Sequence, residues 1–120
     1  MDDTVLYQEY LDLCKNVEVE WTHATQKTVR IHNRAMDSLF KLAKRIATTS
    51  NNPEQIFSQL IDSDELSVKL MASSHALKYN YCTEKAEQAL EYLATLPGMI
   101  QFSAVMTLKV WRGEISGSKL

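Results

Sequence analysis

The chain has 120 residues, of which 45% are hydrophobic and 23% charged, and its formal net charge is −2. It contains no run of 18 apolar residues that could span a bilayer, and its start, Met1-Asp2-Asp3, has the wrong charge for a secretory signal. All glycines and prolines lie beyond residue 52, which favours an all-α fold. Two cysteines, Cys14 and Cys82, are too few for a disulfide framework or a zinc site. We therefore expect buried thiols and a cytoplasmic protein.

Two long helices are predicted in the first half of the chain, the first beginning at Asp3 or Thr4. In each helix the apolar residues recur in steps of three and four and form one stripe. The first stripe contains Leu6, Tyr10, Leu13, Cys14, Val17, Trp21 and Ala24, and the second contains Ile31, Ala35, Leu39, Leu42, Ala43 and Ile46. Weak helix formers place the turn between Glu20 and Thr28.

The charges of these two helices are segregated. Residues 1–20 hold six acidic residues and one base, whereas residues 26–45 hold six bases and one acidic residue. The favoured interpretation is an antiparallel hairpin in which the two helices neutralise each other. The alternative is a basic face on the second helix that binds an acidic partner or a nucleic acid. Against nucleic acid, the whole chain is acidic and has no basic motif interleaved with aromatic residues.

Four shorter helices are predicted after a polar connector at residues 48–52. The third covers about 53–62 and starts at Pro53 behind an Asn52 cap. The fourth covers about 64–79 behind a Ser63-Asp64 cap, and the fifth runs from a Thr83 cap to near Thr95. Pro97-Gly98 breaks the chain before a sixth helix from about 99 to 112, which Gly113 closes, and a frayed tail is expected at 114–120.

Residues 53–113 contain an internal repeat of two helices. A shift of 32 residues superimposes the apolar positions of the two copies. Val68, Leu70, Ala72, Ala76 and Tyr79 fall on Ile100, Phe102, Ala104, Leu108 and Trp111, and Leu60 and Ile61 fall on Tyr92 and Leu93. This period is typical of HEAT-like stacking of helix pairs. The sequence therefore predicts a single all-α domain over 1–120: a helix hairpin (1–48), then two HEAT-like pairs (53–113), as a short right-handed α-solenoid.

Several local features extend this likeness. In the stretch 62–77, Val68-Lys69 stands where HEAT motifs have Val-Arg, and Ala72-Ser73 stands where they have a pair of small residues. Together with Asn33-Arg34 and the runs 86–94 and 102–115, these features resemble a family of small bacterial helical-repeat proteins of undefined function. The resemblance covers about residues 5–115. Similar small helical-repeat proteins recur among the immunity proteins of toxin–immunity systems, including contact-dependent growth inhibition. The resemblance thus implies a protein that binds a toxic nuclease and blocks its active site.

No arrangement of residues in the sequence predicts catalysis. His75 lies on an apolar stripe and is expected to pack, while His23 and His32 are expected on polar surface. No histidine or cysteine pair has metal-ligand spacing, and three glycines cannot build a phosphate loop. We therefore expect neither an enzyme nor a metal or cofactor.

One acidic surface is the candidate interaction site. Its predicted partner-binding residues are the acids of the turn before helix four, the acids of helix five and two flanking tyrosines: Asp62, Asp64, Glu65, Glu84, Glu87, Glu91, Tyr79 and Tyr81. The plainer interpretation of the acids is a solvated helix face, and the plainer interpretation of the tyrosines is ordinary loop packing. If the surface does bind, its negative charge suits the phosphate-gripping region of a nuclease toxin, and the tyrosines would anchor the contact. The alternative function is a scaffold or regulator that binds a housekeeping protein through Lys41, Lys44 and Arg45. No direct contact with nucleic acid or membrane is expected, and the oligomeric state stays open.

Overall fold

A computed structural model of the protein describes residues 3–15, 17 and 25–114. These residues form six α-helices and no strand, so the all-α prediction is confirmed. The helices are α1 (Asp3–Lys15), α2 (Gln26–Thr49), α3 (Pro53–Ile61), α4 (Leu66–Tyr79), α5 (Thr83–Leu93) and α6 (Met99–Trp111). Within the described ranges, no helix is both long and apolar enough to cross a membrane.

The chain divides into two compact units, Met1–Pro53 and Glu54–Leu120. In the first unit α1 packs against α2, and the predicted stripes supply its core: Leu6, Tyr10, Cys14, Ala35, Leu39, Leu42, Ala43 and Ile46 are buried. Ile31 is the exception in the α2 stripe, since 41% of its surface is exposed. The predicted positions of Trp21, His23 and Ala24, and most of the predicted turn, lie outside the described residues.

In the second unit α5 packs against both α4 and α6, and α4 also contacts α6. The four predicted apolar residues of α3, Ile56, Phe57, Leu60 and Ile61, are all buried. Side-chain contacts tie α3 to the segment around the start of α5. The Phe57 ring stacks on Tyr81 with centroids 5.8 Å apart, and Lys85 Nζ donates to Ser58 Oγ at 2.8 Å.

Two of the predicted helix caps are wrong. α4 begins at Leu66 instead of 64, because the Ser63 hydroxyl accepts a hydrogen bond from the Glu65 N–H at 3.1 Å and forms a turn there. α5 begins at Thr83 itself, and the residue before it is Cys82 in a left-handed conformation with φ 50°. Asn80, with φ 62°, ends α4 in the same left-handed region. The two left-handed residues turn the chain sharply between α4 and α5.

The 32-residue repeat is reflected in burial at only some positions. Ala72 and its counterpart Ala104 are both fully buried. By contrast, Leu60 is fully buried whereas its counterpart Tyr92 is 53% exposed. Phe102, in the second copy, is 60% exposed. The two helix pairs thus share a buried side and differ in what covers the opposite side, and the right-handed solenoid stays a prediction.

Candidate protein-interaction surface

The three glutamates of α5 lie on the side of the helix opposite its core residues. Steps of three and four residues keep Glu84, Glu87 and Glu91 on one face, while Ala86, Ala89, Leu90 and Leu93 are buried. Glu84 and Glu91 are exposed and Glu87 is half-buried. The predicted acidic ridge on this helix therefore exists as a surface feature.

A single guanidinium pairs with two of these three glutamates. Arg112, at the end of α6, donates from Nε to Glu87 Oε2 at 2.9 Å, and its Nη2 lies 2.8 Å from the same oxygen. The same Nη2 lies 3.3 Å from Glu91 Oε1. The hydrogen bond to Glu87 raises the pKa of Arg112, so this cation stays charged. Among the described residues Glu84 forms no such ion pair, and it is the least compensated member of the ridge.

Lys85 of α5 contacts Asp62, the first of the predicted acidic residues in the turn before α4. Its Nζ lies 2.7 Å from Asp62 Oδ2, where it both donates a hydrogen bond and forms an ion pair. The structure thus brings Asp62 beside α5 through a contact with a cation of that helix. Asp64 and Glu65 are exposed on the turn that follows Asp62, and within the described part no ion pair engages them.

The two predicted tyrosine anchors differ in their surroundings. Tyr81 is half-buried, and its ring stacks on the buried ring of Phe57 at an interplanar angle of 19°. This contact agrees with the packing interpretation of Tyr81. Tyr79 is also half-buried, and Lys78 Nζ lies 5.8 Å from its ring centroid. Partial burial raises the pKa of Tyr79, so its hydroxyl remains a hydrogen-bond donor at neutral pH.

An open cleft of about 750 Å³ lies at the start of α5. It is lined by Glu54, Asn80, Cys82, Thr83, Glu84, Lys85 and Gln88. Glu54, from the first turn of α3, and Glu84 place two exposed carboxylates on its walls. Burial is the main cause that raises the pKa of Cys82, and the Glu54 carboxylate adds to it. The thiol, which donates to the Glu54 carbonyl at 3.3 Å, therefore stays protonated and is a poor nucleophile.

Sequence reasoning missed Glu54, Lys85 and Arg112. All three are joined to the surface through partners more than 20 residues away in the sequence, as in Lys85–Asp62 and Arg112–Glu87. The one available signal was that Lys85 interrupts the acidic run of α5.

A metal site and acid–base chemistry each make requirements of the titratable side chains. No group of three or more His, Cys, Asp and Glu side chains in the described ranges could hold a metal ion. Burial lowers the pKa of His75 to about 4, and the nearby Lys78 charge adds to the shift. His75 is therefore a neutral core residue on α4, away from solvent. The arrangement offers charge and shape for a protein contact.

Comparison with known proteins gave no match to a family model, to a curated protein or to a solved structure.

Proposed function

We propose that the protein is a bacterial immunity protein that acts in the cytoplasm. It binds a cognate toxin, a nuclease, and neutralises it by covering the active site without chemistry of its own. The observation that carries the proposal is a set of four exposed carboxylates of the second unit for which the described residues provide no ion pair. This set consists of Glu54 and Glu84 on the cleft walls and Asp64 and Glu65 on the turn before α4.

The charge of this region supports a basic partner. Residues 54–114 contain eight acidic and five basic residues, a net charge of −3. A nuclease must hold phosphates and therefore presents cationic side chains around its catalytic centre. Carboxylates at these positions would occupy the phosphate sites and would accelerate association by long-range attraction. The Tyr79 ring provides a half-buried aromatic contact beside the charges.

The first test is capture of the tagged protein from its native bacterium with identification of any stoichiometric partner by mass spectrometry. The expected partner has a basic toxin domain whose nuclease activity disappears when the purified protein is added. A partner without toxic activity, or a toxin that stays active in the complex, would remove the proposal. A housekeeping protein as the partner would favour the scaffold function instead.

The second test locates the surface by charge reversal. Glu84→Lys together with Asp64→Lys should weaken toxin binding by about 100-fold, since close interfacial charges contribute several kcal/mol. Glu114→Lys is a single-site control with half the charge change of the double variant, because Glu114 is also exposed in the second unit but lies outside the cleft and the turn. Reversal of Glu87 or Glu91 is less informative, since it would also break the contact with Arg112. Unchanged affinity in the double variant would refute this surface assignment.

A further inference from the structure

A line of cations runs along the outer side of α2. Lys27, Arg30, Arg34, Lys41 and Arg45 follow one another in steps of three, four, seven and four residues, and we call them the basic ridge. At 3.6 residues per turn these positions fall within an arc of roughly 60° and extend for about 27 Å. All five are exposed, while Ala35, Leu39, Leu42, Ala43 and Ile46 bury another side of the same helix.

Only the C-terminal half of the basic ridge has acidic neighbours within the described part of the chain. Lys41 Nζ lies 3.1 Å from Asp37 Oδ2, and Arg45 Nη1 lies 3.9 Å from Glu9 Oε2 on α1. Of the described residues, none forms an ion pair with Lys27, Arg30 or Arg34. Among the described residues, the neutralisation expected between the first two helices is thus seen in one ion pair, Arg45–Glu9.

Helix stability does not explain cations at this place. Lys27 and Arg30 lie in the first two turns of α2, and its first turn contains no acidic residue. The N-terminal end of a helix carries a partial positive charge, so cations there are unfavourable by a few tenths of a kcal/mol or more. An anionic partner bound there would be attracted both by these cations and by the N-terminal end of the helix.

A small cavity adjoins the basic ridge. It has a volume of about 240 Å³ and lies between α1 and α2, lined by Leu13, Ile31, Ala35, Ser38 and Arg34. Arg34 therefore belongs both to the ridge and to the cavity wall. Ile31 is the residue of the α2 stripe that the core leaves 41% exposed. The volume is below the roughly 300–1,000 Å³ of most small-molecule sites, and it suits one large apolar side chain.

We infer that this side of α2 binds an acidic segment of another protein. The segment places its carboxylates along the basic ridge and one apolar side chain in the cavity beside Arg34. A protein fits better than a nucleic acid because Leu13, Ile31 and Ala35 make part of the cavity wall apolar, and an apolar side chain can cover them. Single nucleic-acid strands bind through cations combined with aromatic stacking, and none of the residues of the ridge or the cavity is aromatic. This contact uses residues other than those of the acidic surface. It requires an acidic partner, whereas the acidic surface requires a basic one.

The test uses two fluorescein-labelled peptides of equal charge that are long enough to span the ridge. One consists of Glu-Glu-Leu repeats, and in the other every leucine is replaced by serine. Fluorescence anisotropy at about 0.05 and 0.3 M salt should show that the leucine peptide binds about fivefold or more tightly than the serine peptide, with both affinities falling as salt rises. Equal affinities would show that the cavity is not used, and absence of binding by the leucine peptide would overturn the proposal.

Matched variants separate the ridge from net charge. Arg34→Glu should weaken binding of the leucine peptide by about tenfold or more, and Arg30→Glu, outside the cavity, should weaken it severalfold. Lys109→Glu makes an equal charge change on exposed surface of α6 and should leave the affinity within about twofold. Circular dichroism confirms that each variant is folded. An equal loss with Lys109→Glu, or tighter and Arg34-dependent binding of duplex DNA, would overturn the assignment to an acidic protein segment.

Discussion

Three carboxylates of the acidic surface each form an ion pair with a single neighbouring cation. Glu87 and Glu91 share the guanidinium of Arg112, and Asp62 shares the ammonium of Lys85. His75, in contrast, is 4% exposed, and its pKa is lowered to about 4 by burial and by Lys78. The acidic surface is thus smaller than the count of its carboxylates suggests, and the buried histidine links folding to pH.

The stability of the protein should fall as pH decreases from about 6.5 to about 4. The unfolded chain binds a proton at His75 with an ordinary pKa near 6.5, whereas the folded chain binds it only near 4. Below pH 6.5 the unfolded state therefore holds more protons, and His75 can remove on the order of 3 kcal/mol of stability by pH 4. Above pH 6.5 this contribution is fully present and constant.

The measurement is urea denaturation at several pH values, comparing the wild type with His75→Gln. Carboxylates also titrate near pH 4, and the difference between the two proteins isolates the histidine. The stability of the variant should vary less between pH 6.5 and 4. Parallel pH profiles for the two proteins would contradict a buried neutral histidine.

The helix starts follow local hydrogen bonds more than residue preferences. At α2 the Thr25 hydroxyl accepts from the Thr28 N–H at 3.2 Å, and the Thr28 hydroxyl oxygen accepts from the Thr25 N–H at 2.7 Å. This reciprocal pair is a capping box. Thr83 is of the same residue type but lies one position inside α5, where no side-chain cap is present. Two threonines with similar sequence surroundings therefore have different roles.

Thr25→Ala should lower the free energy of unfolding by about 1 kcal/mol, because it leaves an N-terminal N–H of α2 without its acceptor. Thr83→Ala, the matched control, should change it by less than about 0.5 kcal/mol. Chemical denaturation monitored by circular dichroism measures both. A loss at Thr83 as large as that at Thr25 would place the α5 cap where the sequence pattern put it.

For the molecule as a whole, the number and order of helices could be predicted from the sequence, but its surface charge could not. The apolar stripe of α3, and that of α2 except for Ile31, match the buried residues because helical spacing determines which side chains share a face. The start of α5 was mispredicted because Cys82 is not a usual cap residue. Arg112 and Lys85 were missed as counterions because Arg112 lies 25 residues from Glu87 and Lys85 lies 23 residues from Asp62. The helical periodicity of a sequence does not reveal ion pairs between residues so far apart along the chain.

The whole molecule should be least soluble near pH 5.9, the pH at which its net charge is zero. It exposes large apolar side chains at the junction of α5 and α6, where Tyr92 is 53% exposed and Met99 and Phe102 are each 60% exposed. Without net repulsion these side chains can associate between molecules. Phe102→Lys should therefore reduce light scattering at pH 5.9 more than Val5→Lys, which makes the same charge change at a 51% exposed residue of α1. Equal reductions would assign the effect to net charge alone and would exclude the α5–α6 junction as the associating surface.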